Sequence, residues 1–160
     1  MSTRGAVGIR MNGMDKVGYN HFDSYPSGLG DEILSWLSKN NIENLKDIYE
    51  SIELSDDWEN PTWDWENHKI NTIFENQEKF LYDSLFCEFA YIVNLDTKML
   101  EFYIGFNKDP DAPGRYSNKK DDESGYYGVR LEKEIPLSDL FENKYEIYEY
   151  DNGENFKLKN

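Results

Sequence analysis

The sequence predicts an α+β fold: a single domain in which an antiparallel sheet built from hairpins carries about three helices. Two stretches, residues 5–20 and 86–106, alternate around short turns as β-hairpins do. Between them, apolar residues recur at helical spacing. The length of 160 residues suits one domain with its own core. We place this domain at residues 1–150 and expect residues 151–160 to be a flexible tail.

The first hairpin is centred on Asn12-Gly13, a pair that readily adopts the positive φ angles of a type I′ turn. This centre sets Met11 opposite Met14 and Arg4 opposite His21. Alternation then places one polar set on a single face: Arg4, Arg10, Asp15, Tyr19 and His21. The other face carries Val7, Ile9, Met11 and Met14, together with Lys16 and Asn20. We expect the apolar face to meet the core and the Arg4 face to be free for a site or for solvent.

A break and a helix start follow the hairpin. Pro26 restricts Tyr25 to extended geometry, and residues 27–30 (Ser-Gly-Leu-Gly) lead into a helix beginning near Asp31. A helix N-terminus entered through glycines exposes unpaired backbone N–H groups, which attract anions. Two interpretations stay open: Ser27 and the acidic first turn cap the helix without a ligand, or the N–H groups bind an anion beside a cationic side chain.

The polar residues of this region form the candidate site. The candidates for acid–base or nucleophilic chemistry are His21, Asp23 and Ser24. The candidates for binding a ligand are Arg4 as an anion clamp with Tyr19, Asn20, Tyr25, Gly28 and Gly30. A turn needs far fewer polar residues than this, which favours a functional site. No glycine-flanked elbow surrounds Ser24, so whether the protein is an enzyme stays open.

The chain resembles an uncharacterised family of small proteins encoded by phages, bacteria and some fungi. The resemblance is carried by Thr3-Arg4-Gly5 and by Tyr19-Asn20-His21-x-Asp23-Ser24-Tyr25-Pro26-x-Gly28-Leu29-Gly30, which together look like the opening of that family. A second patch, Glu88-Phe-Ala-Tyr91-Ile-Val-Asn-Leu95-Asp96, is similar as well. The resemblance implies relatedness and supplies no mechanism.

The chain is strongly acidic, with 32 Asp and Glu residues against 17 Lys and Arg and a formal net charge of −15. This charge opposes binding to nucleic acid and to anionic lipid, so neither is an expected partner. The same acidity suits a basic groove on another protein, or simply keeps the protein soluble. No signal peptide and no apolar stretch of membrane-spanning length is evident, and we expect a cytoplasmic protein, in the host cytosol if phage-encoded.

Metal and cysteine chemistry find no support in the sequence. The single cysteine, Cys87, lies in an apolar run and is expected to be a small buried hydrophobe. His68 has no cysteine or second histidine at metal spacing, and the acidic residues near position 60 match no calcium loop. We therefore expect neither a metal nor a cofactor.

The remaining elements follow from periodicity and turn residues. Helices are predicted over residues 31–39, 43–54 and 68–85, and the second hairpin pairs residues 86–94 with 99–106. Phe89, Tyr91, Val93, Leu95 and Cys87 should share one face of that hairpin. Residues 108–125 have few apolar residues and are expected to be a mobile loop. A strand over 126–134, one helical turn over 136–140 and a strand over 145–150 complete the prediction.

An acidic, tryptophan-rich segment separates the second and third predicted helices. Its candidate contact residues for a partner protein are Asp56, Asp57, Trp58, Trp63 and Trp65, since aromatics with an acidic rim suit protein recognition. Alternatively, the tryptophans cover the helical layer.

Two functions of different classes follow. The first is a binder of a small anionic ligand, or a hydrolase-like enzyme, with its site in residues 4–30. The second is a non-enzymatic, acidic, phage-type interaction protein that inhibits or modulates a host protein. Substitutions in the Arg4, His21 and Asp23 group should abolish the first activity, and substitutions in residues 56–66 the second.

Overall fold

The computed structural model describes residues 2–55, 63–64, 69–71, 79–120 and 123–160. Within these ranges the chain forms the predicted α+β domain, with a five-stranded sheet, a three-stranded sheet, a C-terminal hairpin and three α-helices. The elements in chain order are β1 Gly5–Met11, β2 Met14–Asn20, a π-helical turn Pro26–Gly30, α1 Asp31–Leu37, α2 Ile42–Ser51, β3 Glu53–Ser55, β4 Trp63–Asp64, β5 Lys69–Asn71, a 3-10 turn Lys79–Tyr82, β6 Phe89–Asn94, β7 Met99–Ile104, β8 Arg130–Pro136, α3 Leu137–Phe141, β9 Tyr145–Tyr150 and β10 Gly153–Leu158.

The central sheet is mixed rather than purely antiparallel, and its strand order is β2-β1-β6-β7-β8. Each predicted hairpin is antiparallel, but the two hairpins join through β1 and β6, which run parallel. β2 returns the chain to the end of the sheet where β1 begins, and residues 21–88 then connect it to the start of β6 at that same end. Alternation within a hairpin does not encode how two hairpins meet, so the sequence pattern could not predict this pairing.

The register of the first hairpin is confirmed. Met11 pairs with Met14 and Gly5 with Asn20, and the turn residues Asn12 and Gly13 have φ angles of 54° and 73°. The carboxylate of Asp96, from the turn of the second hairpin, accepts the Asn12 N–H at 2.8 Å and the Gly13 N–H at 2.9 Å. These hydrogen bonds lower the pKa of Asp96 and tie the two turns together.

Both faces of the central sheet are covered. The main core lies between one face and the three helices, and Tyr91, Phe102 and Phe156 are among its fully buried side chains. A second core on the opposite face comprises Ala6, Val17, Tyr19, Phe80, Leu81, Cys87, Ala90, Ile92, Tyr103, Tyr116 and Val129. The expectation that the Arg4 face is free was therefore wrong for most of its length, because residues far along the chain cover it.

The two polar residues predicted on the apolar face have structural roles. The Lys16 ammonium donates to the carbonyls of Tyr49 and Ile52 at the C-terminal end of α2, where such a cation is favourable. The Asn20 side chain donates to the Phe22 carbonyl at 2.7 Å. Neither residue disturbs the core.

The first two helix predictions are confirmed with shifted ends, and the third was wrong. α2 begins after Asn41, whose side chain accepts the Asn44 N–H as an N-cap. Where the structure describes residues 68–85, it shows the strand β5 and the 3-10 turn. The Leu81 carbonyl accepts the Val129 N–H instead of a helical partner, so contacts distant in sequence override the helical spacing.

The loop expected to be mobile is anchored in its middle. Tyr116 is 2% exposed, and its hydroxyl donates to Asp15 at 2.6 Å. The neighbouring Arg115 guanidinium forms two hydrogen bonds with Glu101, at 2.8 and 2.6 Å. The composition of this loop suggests mobility, but one buried aromatic residue and one ion pair hold its middle in place.

The C-terminal residues do not form a flexible tail. β10 pairs with β9 along its whole length, and Phe156 is fully buried in the main core. Its ring packs edge-on against Tyr91 and Phe102. The residues around Phe156 are mostly polar, so the sequence shows no clear strand pattern here.

Cys87 is fully buried, as predicted, and burial raises the pKa of its thiol well above the ordinary value. It packs in the second core rather than beside Tyr91, because Cys87 precedes β6 and strand alternation starts only at Phe89. In the described part of the chain, no helix is both long and apolar enough to cross a bilayer.

The role of β10 can be measured by removing its buried ring. Phe156→Ala should lower the free energy of unfolding by about 3–5 kcal/mol, since it leaves a cavity in the main core. Leu158→Ala on the same strand is the control, and it should cost no more than about 0.5 kcal/mol because Leu158 is 55% exposed. Chemical denaturation compares the two, and equally small losses would show that the hairpin is not part of the core.

Candidate functional site

The predicted site residues meet at one end of the central sheet, where β1 begins and β2 ends. The Glu88 N–H donates to the Arg4 carbonyl at 3.0 Å, and the Ser24 N–H donates to the Thr3 carbonyl at 3.2 Å. The two stretches that carry the family resemblance are thus in direct contact. We call this region the junction, comprising residues 3–5, 19–30 and 86–91.

Ser24 is an internal link in the junction and has no access to solvent. It is fully buried, and its hydroxyl accepts a hydrogen bond from the Asn20 side chain at 2.8 Å. Its carbonyl accepts the Tyr91 hydroxyl at 2.7 Å. The geometry therefore gives no support to Ser24 as a nucleophile, because a substrate could not reach its hydroxyl.

Two glycines of the junction are required by close backbone approach. A Cβ at Gly28 would lie 2.2 Å from the Asp23 carbonyl oxygen, and one at Gly5 would lie 2.6 Å from both the Ser24 Cβ and the Phe89 carbonyl oxygen. Gly30 differs, since a Cβ there would meet its neighbours at 3.5 Å, an ordinary contact distance. The close approach of the Asp23 carbonyl is thus sufficient to explain a glycine at position 28.

The backbone donors expected to bind an anion are engaged within the chain. The Gly28 N–H donates to the Tyr25 carbonyl and the Leu29 N–H to the Asp23 carbonyl, each at 2.9 Å. The Ser27 N–H and hydroxyl both donate to the Glu154 carboxylate, at 3.2 and 3.0 Å. The helix start therefore meets a carboxylate from β10, and burial together with Glu154 raises the pKa of Asp31 in the first turn.

Tyr19 joins Arg4 and His21, the pair predicted to lie opposite one another. Its hydroxyl oxygen lies 2.6 Å from His21 Nδ1, within hydrogen-bond distance, and Arg4 is close enough to act electrostatically on the same hydroxyl. Burial raises the pKa of Tyr19 against the opposing effect of Arg4.

His21 and Asp23 do not share a face as a continuous strand would require. Asp23 has a φ of 54°, which turns the chain away from β2. Its carboxylate accepts the Tyr25 hydroxyl at 3.0 Å, and this hydrogen bond raises the pKa of Tyr25. The predicted acid–base pair is thus split between two partners, Tyr19 and Tyr25.

Three phenylalanine rings in and next to the junction are exposed to solvent. Phe22 is 66% exposed, Phe86 45% and Phe106 55%. The Arg4 guanidinium lies 5.4 Å from the centre of the Phe86 ring, and the His21 and Phe22 rings meet edge-on at 4.5 Å. Together with Arg4 and His21, these three phenylalanines form a surface that we call the phenylalanine end. The sequence does not indicate this surface, because the three phenylalanines are far apart along the chain.

A second polar cluster lies on the central sheet, and the sequence predicted only its residues from the first hairpin. The expected pair of Arg10 and Asp15 is a salt bridge at 3.0 Å, and across the sheet Arg115 pairs with Glu101 at 2.6 Å. Tyr116 bridges the two pairs, since its hydroxyl donates to Asp15 and accepts from Arg115. Each buried carboxylate faces an arginine, so the cluster balances its own charge and anchors the loop.

Comparison of the chain with protein-family models, curated proteins and solved structures gives no significant match. The family resemblance therefore stays a prediction.

The candidate partner-binding residues lie largely outside the described part of the chain. Asp56, Asp57, Trp58 and Trp65 lie outside the described residues, as does the side chain of Trp63, so their contact role stays a prediction. Among the residues that the structure describes, no group of three or more His, Cys, Asp and Glu side chains is placed to hold a metal ion.

Two glycines that were both assigned to a ligand site give opposite predictions. Gly28→Ala should destabilise the protein by more than about 1 kcal/mol, since its Cβ would overlap the Asp23 carbonyl. Gly30→Ala should be neutral or stabilising by roughly 0.4–1 kcal/mol, because Gly30 has a helical φ of −59° and room for a methyl group. Thermal and urea unfolding decide the matter, and similar behaviour of the two variants would contradict the structural role of Gly28.

Proposed function

We propose that this protein acts by binding another protein whose contact surface is positively charged, and not by catalysis. The main support is that the junction exposes an aromatic ring, while its polar side chains are buried or hydrogen-bonded. Ser24 is buried, His21 is bonded to Tyr19 and Asp23 to Tyr25, while the neighbouring Phe22 is two-thirds exposed. The region thus offers an aromatic contact surface in place of a free reactive group.

The sign of the partner follows from charge. A protein of net charge −15 attracts positively charged surfaces over distances of about a Debye length, roughly 8 Å at physiological salt. Long-range attraction raises the association rate, and contact at short range then determines how long the complex lasts. The resemblance to phage-encoded proteins supports a partner in the host cell, where the protein inhibits or modulates its target.

The exposed face of α2 allows the charge argument to be tested in both directions. Glu43, Asp47 and Glu50 are exposed there beside the exposed Lys46. Neutralising the acids in Glu43→Gln/Asp47→Asn/Glu50→Gln should weaken capture of basic proteins, whereas Lys46→Gln should strengthen it slightly. Neither change removes a buried side chain, so both variants should fold.

The measurement is quantitative capture from a bacterial extract at low and high salt, read by mass spectrometry. The proposal predicts bound proteins of high isoelectric point that are released by salt, with the two variants shifting capture in opposite directions. Bound proteins indifferent to salt and to both variants would contradict it.

A further inference from the structure

We infer that the phenylalanine end is the docking surface, and that it takes a partner segment in which apolar and basic side chains occur together. This inference rests on the proposed function and adds the place of contact and the chemistry of the segment that binds there.

Neighbouring side chains connect Phe86 with Phe22. Phe86 lies under Arg4, Arg4 interacts electrostatically with Tyr19, and Tyr19 reaches His21, which packs on Phe22. Tyr19 is only 8% exposed and lies beneath the surface, whereas the two phenylalanines are exposed. Phe22 and Phe86 are therefore parts of one surface even though they are far apart in the sequence.

Phe106 is held beside this surface in a strained conformation. Its N–H donates to the Ser84 carbonyl, and the Gly105 N–H donates to the Glu88 carbonyl at 2.8 Å, which fixes both residues against the segment that contains Phe86. Phe106 has a φ of 55°, a region that bulky residues rarely adopt. A large apolar side chain kept exposed at a strained position is typical of a binding site rather than of a fold that stabilises itself.

An acidic residue lies within three positions of each phenylalanine in the sequence. Asp23 follows Phe22, Glu88 lies two residues after Phe86, and Asp109 lies three residues after Phe106. None of these carboxylates forms a salt bridge with another residue that the structure describes. Two cations lie near these rings: Arg4, whose guanidinium lies over the Phe86 ring, and Lys108, whose ammonium lies over the Tyr126 ring.

These charges select the occupant. Exposed rings gain by burying apolar side chains, and the acidic residues close to them in the sequence gain by meeting Lys or Arg. Arginine suits both, because its guanidinium stacks on aromatic rings and pairs with carboxylates. An acidic or a purely polar segment would satisfy only part of this surface, and the overall charge of −15 would repel the acidic one.

Short synthetic peptides of three kinds separate these contributions: alternating Leu and Lys, alternating Ser and Lys, and alternating Leu and Glu. Fluorescence anisotropy measures their affinity for the wild-type protein and for the double variant Phe22→Ser/Phe86→Ser. Met14→Ser is the matched control, because Met14 is 68% exposed in the hairpin turn at the opposite end of β1 and β2. The altered side chains are all exposed, so the three proteins should fold alike, which circular dichroism checks.

The inference predicts that the Leu-Lys peptide binds most tightly, and that the double variant loses about tenfold or more of this affinity while Met14→Ser keeps it. Backbone amide shifts in the complex should move around residues 21–22, 86–88 and 106. Equal binding of the Leu-Lys and Ser-Lys peptides, unaffected by the phenylalanine variant, would overturn the docking surface and leave the proposed function standing. Tighter binding of the Leu-Glu peptide, or no binding of either basic peptide, would overturn both.

Discussion

The hydrogen bond from the Tyr91 hydroxyl to the Ser24 carbonyl, 2.7 Å long and fully buried, ties the turn after β2 to the central sheet. Tyr91 lies in β6, where its ring stacks with Phe102 and meets Phe156 from β10 edge-on. Ser24 lies where the chain leaves β2 and begins the helical layer. The hydrogen bond therefore positions the junction against the sheet, and burial raises the pKa of the Tyr91 hydroxyl well above its ordinary value.

This link changes the functional meaning of the N-terminal motif. Asn20, Ser24 and Gly28 use their side chains, or the lack of one, to close the turn after β2. The Asn20 amide N–H and the Ser24 hydroxyl find hydrogen-bond partners within this turn. Phe22 lies in the same turn but points to solvent, because the strand alternation ends at Asn20 and the positive φ of Asp23 redirects the chain. The motif thus builds the junction, and Phe22, which lies among its polar residues, is exposed to solvent.

Sequence patterns predicted the parts of the fold that depend on local interactions. Asn12-Gly13 set the hairpin register correctly, and helical spacing found α1 and α2, since turn chemistry and amphipathicity act within a few residues. The parallel pairing of β1 with β6, the burial of Phe156 and the anchoring of Tyr116 all depend on contacts distant in sequence, which periodicity does not encode. For the site, strand alternation correctly predicted that Arg4, Tyr19 and His21 lie on one face. It could not show that Ser24 is buried, or that three phenylalanines distant in sequence are exposed at one end of the sheet.

The stability of Tyr91→Phe tests the central claim most directly, because this change removes one hydroxyl and keeps the ring. The account predicts a loss of roughly 1–3 kcal/mol in the free energy of unfolding, since the buried Ser24 carbonyl loses its partner. Tyr148→Phe, at a tyrosine 44% exposed on the outer face of the C-terminal hairpin, should change the stability by no more than about 0.5 kcal/mol. Equal stability of the two variants in urea denaturation would contradict the claim that the motif is organised around this hydrogen bond.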